Sequence, residues 1–104
     1  MPAPTLSPLA LRRIYLNYNR HYFGGRLPTT VTLKYVKTKA WTAELDYDTM
    51  TISISDHLRG WNSWIRASIL HEMAHLAAPD GSHGARWQRV MRHLARAGAF
   101  DTIW

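Results

Sequence analysis

His-Glu-Met-Ala-His, the stretch HEMAH at residues 71–75, decides how this chain is read. Ile65, Ile69, Met73 and Leu76 recur at helical spacing around it, so the stretch is expected on a helix. Asn62 or Ser63 can cap that helix, and Pro79, Asp80 and Gly81 must end it near Ala78. Residues four apart on a helix share a face, so His71 and His75 can aim one ring nitrogen each at a point about 2.0–2.1 Å away, as zinc requires. Glu72 falls one position round from the first histidine. It can reach a water in the site without becoming a ligand, which is the placement a general base needs. The competing reading is a histidine pair satisfied by hydrogen bonds on an ordinary helix.

A catalytic zinc usually has three protein ligands and one open position, so the third ligand is the next question. No glutamate follows Glu72, which removes the pattern in which a later helix supplies one. The long metzincin pattern wants Gly at 78 and His at 81, where this chain has Ala78 and Gly81. Asp80, His83, His93 and Asp101 remain. His83 is assigned, because the Pro-Asp-Gly break lets the chain turn back after His75 and delivers His83 to the mouth of the following helix. His93 sits in a basic helix face, and His21 and His57 are distant in sequence; all three read as surface histidines.

Outward from this centre the organisation is helix, three strands, helix, helix. A third helix is expected from about Gly84 to Ala97, with Trp87, Val90, Met91 and Leu94 on one face and Arg86, Arg89, Arg92 and Arg96 on the other. Upstream, Ser7 and Pro8 read as an N-cap and a first-turn proline. Leu11, Ile14, Tyr18 and Tyr22 follow at helical spacing until Gly24 and Gly25 stop the first helix. Val31, Leu33 and Tyr35, then Trp41, Ala43 and Leu45, then Ile52 and Ile54 each alternate with polar residues, as strands do. The run DYDT at 46–49 is expected to turn the second strand onto the third.

With 104 residues and 46% apolar content, including five Trp and five Tyr, one domain with its own core is expected over residues 1–104. There is no cysteine, which excludes a disulfide framework and a thiolate zinc finger; any metal must be held by His, Asp or Glu. No apolar run approaches a membrane span and no secretory leader is evident, so a cytoplasmic protein without membrane contact, monomeric by default, is expected. The formal net charge of +6 favours polyanionic partners. Lys34, Lys37 and Lys39 around the first strand's end, and the arginines at 86, 89, 92 and 96, are the candidate nucleic-acid contacts, although a charged stripe is usually only a solvated face.

YFGGRLP at 22–28, the strands leading to TISIS at 51–55, LHEMAH at 70–75 and HGARWQRVM at 83–91, taken in order, resemble the SprT-like domain of the SprT and Spartan metalloproteases. The resemblance runs over residues 9–95. It implies an α+β, zincin-type minimal metalloprotease domain with one zinc ion held by His71, His75 and His83, and Glu72 as catalytic base. It also suggests a substrate class, since Spartan-type members are DNA-dependent proteases acting on DNA-bound or DNA-crosslinked proteins; single-stranded DNA is the expected cofactor-like partner. Larger members carry a cysteine zinc ribbon, for which this cysteine-free chain has no ligands. The chemistry expected is zinc-assisted peptide hydrolysis with substrate added as a strand along a sheet edge, which edge being open. Tyr47 and Arg86 are weak candidates for an oxyanion stabiliser, each more readily a turn or surface residue. The rivals are a non-catalytic nucleic-acid-binding module with structural zinc and an interaction protein with a degenerate site.

Overall fold

The computed structural model describes residues 4–79, 83–101 and 103. The order of elements is α1 (Pro8–Tyr22), β1 (Thr32–Val36), β2 (Ala43–Asp46), β3 (Thr51–Ser55), a single 3₁₀ turn at Asp56–Leu58, α2 (Asn62–Ala77) and α3 (Ala85–Arg96). This is the expected α+β arrangement of one helix, three strands and two further helices. No helix among the described residues is long and apolar enough to cross a membrane.

Helix α1 begins as its sequence dictates, with the Ser7 hydroxyl accepting from the Ala10 N–H and Pro8 in the first turn. Its buried stripe differs from the expected one. Leu11, Tyr15 and Asn19 are buried, whereas Ile14, Tyr18 and Tyr22 are only half-buried at the border of the core. Polar atoms explain the choice. The Asn19 side chain donates to Leu27 O and accepts from Leu27 N, both at 3.0 Å, and the Tyr15 hydroxyl donates to Pro28 O. Arg12 reaches Val31 O and Thr29 O at 2.7 Å each. One face of α1 thus satisfies the backbone of an otherwise irregular segment, 27–31, that feeds β1. Burial pushes the Tyr15 hydroxyl up to about 12, against the opposing pull of Arg12, so it stays a donor at all ordinary pH values.

Replacing Asn19 by alanine removes two buried hydrogen bonds and leaves the Leu27 N–H and C=O without partners. The expected cost is about 2–3 kcal/mol, read as a lower midpoint in urea unfolding. A loss well under ~1 kcal/mol would mean that Arg12 and Tyr15 suffice to hold the segment.

The sheet has the order β1-β3-β2, with β1 parallel and β2 antiparallel to β3. The β2–β3 hairpin forms where DYDT predicts it: Asp46 Oδ1 accepts from the Asp48 and Thr49 N–H groups, and Met50 completes the turn in the left-handed region. Strand β3 is central, so the simple alternation expected of it fails; Thr51 and Ser55 are buried together with Ile52 and Ile54. Their hydroxyls are satisfied locally, Ser55 donating to Thr38 O at 2.8 Å and Thr51 to Thr49 O at 3.3 Å.

Helix α2 lies against the sheet and carries the core. Ile65, Ile69 and Met73 are buried as the sequence stripe predicts, and Leu70 and Ala74 are buried on a second face, because sheet, α1 and α3 cover it from several sides. The expected cap is corrected. Asn62 is the first helical residue, Trp61 occupies the cap position, and no side chain caps the helix. Asn62 Oδ1 is buried without a hydrogen-bond partner among the described residues. Helix α3 runs Ala85–Arg96 with Gly84 as its cap, one residue inside the expected bounds at each end. It buries Leu94, half-buries Trp87, Val90 and Met91, and exposes its arginines.

Candidate metal centre

Helix periodicity places His71 and His75 on one face of α2, with ring centroids 5.1 Å apart. The residues 80–82, Asp80 among them, lie outside the described part. Beyond them, His83 arrives just before the cap of α3 and puts its Nε2 3.2 Å from His71 Nε2. One nitrogen from each of the three rings lies within 4.8 Å of the others. Three imidazoles at about 2.0–2.1 Å from a tetrahedral ion would stand roughly 3.3 Å apart. The His71–His83 separation already matches that edge, and an all-nitrogen set suits a borderline divalent ion such as zinc. His83 is exposed, which leaves solvent access on that side.

Charge states favour ligation. His71 is held below the usual imidazole range, chiefly by burial and then by repulsion from His75 and His83, so it is neutral and has a lone pair to offer. Its Nε2 stands 3.8 Å from Glu72 Oε2, but a neutral ring makes this a polar contact rather than an ion pair. Glu72 itself is 7% exposed. Its carboxyl is pushed up to about 7 by burial and by the nearby Glu44 carboxylate, and a hydrogen bond from the Leu45 backbone pulls the other way. A carboxyl poised near neutrality can both take and return a proton.

Opposite α2 the cleft is walled by β2. It has a volume of about 290 Å³ and is lined by Ala43, Glu44, Leu45 and Tyr47 facing the three histidines and Glu72. Thr42 O accepts from Ser55 N across the sheet, and alternate residues of an antiparallel pair face alternate sides. Ala43 and Leu45 therefore turn their backbone groups away from β3, toward the cleft. The β2 edge is the strand that the sequence could not identify.

Three contributors escaped the sequence reading. Trp87, read only as a core residue, stacks on the cluster, its ring centroid 4.4 Å from His83, 5.0 Å from His71 and 5.6 Å from His75. The spacing from His83 to Trp87 is one helical turn, so that signal was present. Its Nε1 is buried without a partner among the described residues. Glu44 and the Leu45 N–H, which shape Glu72, left no signal because they lie about 27 residues away in sequence. Of the two weak oxyanion candidates, Tyr47 does border the cleft, donating from its hydroxyl to His75 O at 3.0 Å. Arg86 does not; it lines a separate cavity with Ala77, Ala78 and Arg89. His93 and Asp101 are exposed and outside the cluster, as are His21 and His57.

The basic residues are not gathered on one surface. Lys37 and Lys39 border a cavity with Asp56 and His57, near the first turn of α2, and Lys34 is exposed on β1. Arg89, Arg92 and Arg96 line a larger cavity of about 760 Å³ between α1, the end of α2 and α3, floored by Phe23, Leu27 and Leu76. Helix α2 has 16 residues and so separates the two groups by roughly 20 Å.

A small mixed sheet backed by a helix that carries two histidines and a glutamate, with a third histidine returning from the chain beyond, defines a zincin-like metallopeptidase fold. The same fold occurs in the metallopeptidase zymogen abylysin of Pyrococcus abyssi, with a TM-score of 0.67 at 16% identity over 89% of this chain and 87% of that one. The chain belongs to the SprT-like family, which it matches over residues 11–102. No curated protein matches it.

Proposed function

We propose that this protein is a zinc-dependent peptidase of the HExxH type, in which His71, His75 and His83 hold one zinc ion and Glu72 is the catalytic base. The observation that carries this reading is the convergence of three imidazole nitrogens beside a buried carboxyl whose affinity for protons is raised to about 7. The family and the fold support it. When bound, zinc would polarise the scissile carbonyl and lower the pKa of a water in the site toward about 7.

The chain's own groups do the rest. Glu72 accepts the proton of the attacking water on its carboxylate and then returns it to the departing amine, so no covalent intermediate forms. Its buried position keeps competing water away from the carboxyl. The outward backbone of Ala43 and Leu45 offers a ladder to an extended peptide and sets the scissile bond between β2 and α2. Trp87 limits the movement of the three rings by packing against all of them.

DNA-bound or DNA-crosslinked proteins are the substrate class this reading favours, resting on the net charge of +6 and on the cavity bordered by Arg89, Arg92 and Arg96 together with Arg26. Arginine forks over an apolar floor suit a single strand better than a smooth duplex. The separated lysines would then contact a different stretch or none. The experiment is to incubate the zinc-loaded protein with a DNA-binding protein as substrate, with single-stranded DNA, duplex DNA or none. Cleavage stimulated by single-stranded DNA and abolished by a chelator is expected. DNA-independent cleavage would retain the peptidase and discard the DNA-bound substrate; absence of cleavage under every condition would favour the non-catalytic nucleic-acid-binding module.

A further inference from the structure

Four large apolar side chains are exposed, and two of them, Trp61 at 47% and Trp64 at 56%, stand within one turn of each other at the head of α2. Isolated exposed hydrophobics are ordinary, but tryptophan is among the most costly to leave in water, and paired aromatics at a cleft mark contact surfaces. Their position relative to the metal centre follows from helix geometry. Trp64 precedes His71 by seven residues and His75 by eleven, so at about 100° per residue it lies within roughly 20° of both. It is on the same face of α2 as the two histidines, about 10 Å along the axis from His71.

The sheet supplies the direction. Leu45 bonds to Glu72, and Tyr47, two residues further along β2, bonds to His75 O. Thr42 at the other end pairs with Ser55, which leads through the 3₁₀ turn into the head of α2. Strand β2 therefore runs parallel to α2, with its beginning toward Trp64 and its end toward His75. A peptide added antiparallel to β2, the more stable ladder, runs the opposite way. Its residues after the scissile bond travel toward Trp64 at about 3.4 Å each, which reaches the indole at the third of them.

We propose that Trp64, with Trp61 one turn before it, forms a substrate subsite that takes an aromatic or large aliphatic side chain at the third residue after the scissile bond. The proposal rests on the peptidase reading above. It assigns a function to an exposed indole that neither the core nor the metal centre uses, and it makes the cleft longer on the α2-head side than the 290 Å³ around the histidines.

The test uses peptides alike except for one Phe placed second, third or fourth after the cleaved bond, or third before it. Two readouts are taken: kcat/KM with the zinc-loaded protein, and binding of labelled peptides to the Glu72→Gln variant. A preference of roughly tenfold for Phe in the third position after the bond is expected, the discrimination given by burying about 50–60 Å² of apolar surface. Trp64→Ala should level that preference in both readouts, and Trp64→Phe should keep most of it, with unchanged melting temperatures showing intact folds. A flat positional profile, or a preference that survives Trp64→Ala, overturns the subsite. A preference for the third position before the bond overturns the antiparallel register. Absence of any cleavage alongside a Trp64-dependent binding preference supports the subsite and counts instead against the peptidase.

Discussion

Glu72→Gln is expected to lower peptide cleavage by about 10²- to 10⁴-fold while leaving metal content unchanged. The amide keeps the shape of the carboxyl but cannot accept the water's proton, and Glu72 is not one of the three converging ligands. Cleavage rate and metal analysis on the same preparation check both halves. Retained cleavage would show that another group is the base. The variant carries a second, independent signature in the metal-free protein. There the Glu72 carboxyl is raised from 4.5 to about 7, so its protonated form is the one compatible with burial. For a raised carboxyl, the stability it permits is fully present below the unfolded value near 4.5 and is lost as pH climbs to about 7. Glutamine does not titrate. The metal-free variant should therefore match its parent at pH 4.5 and exceed it by on the order of 3 kcal/mol above pH 7. Thermal melts across that range read the difference directly, and the titrating histidines cancel because both proteins share them. A gap that stays constant with pH would mean that Glu72 is ionised without penalty.

The second large effect is expected from His83→Ala. His83 reaches the α2 pair from beyond residue 80, so an ion held by all three rings ties the entrance of α3 to α2. In the parent protein, zinc at a hundredfold excess over its dissociation constant should stabilise the fold by about 2.7 kcal/mol, seen as a rise in melting temperature. Two imidazoles should hold the ion more weakly by more than the 10- to 100-fold typical of losing an outer-shell partner. The zinc-dependent rise should therefore disappear at the same concentration, and peptide cleavage with it. His93→Ala serves as the control, since that ring is exposed on α3 and outside the cluster. An undiminished zinc response in His83→Ala, or a loss in His93→Ala, would reassign the third ligand.

Particular residues show how much of this was legible in one dimension. The succession of elements was, because capping by Ser7, the Asx turn at Asp46 and the period of the apolar residues act over a few positions. The His71–His75 pair and the place of Glu72 were legible for the same reason: helical spacing converts directly into a shared face. His83 was reached by elimination, and the structure brings it to the pair as expected. The α1 stripe was misread, because Asn19 looks polar in a sequence and becomes a core residue only when Leu27 folds over it and satisfies its amide. The cap of α2 was misplaced for a related reason; the preceding 3₁₀ turn fixes where the helix starts, and Asn62 is carried inside it.

What the sequence determined by itself is the chemistry in reserve: a metal clamp of two imidazoles with a carboxylate between them, a third histidine within reach, and no thiol. The tertiary structure decided how that chemistry is used. It made β2 an edge strand by pairing β1 with β3 across it, and it set Glu44 and the Leu45 N–H against Glu72. It closed Trp87 over the three rings, and it divided the basic residues between the two ends of α2. Each of these joins residues far apart in the chain, and such contacts depend on how the sheet is ordered and packed rather than on any local period.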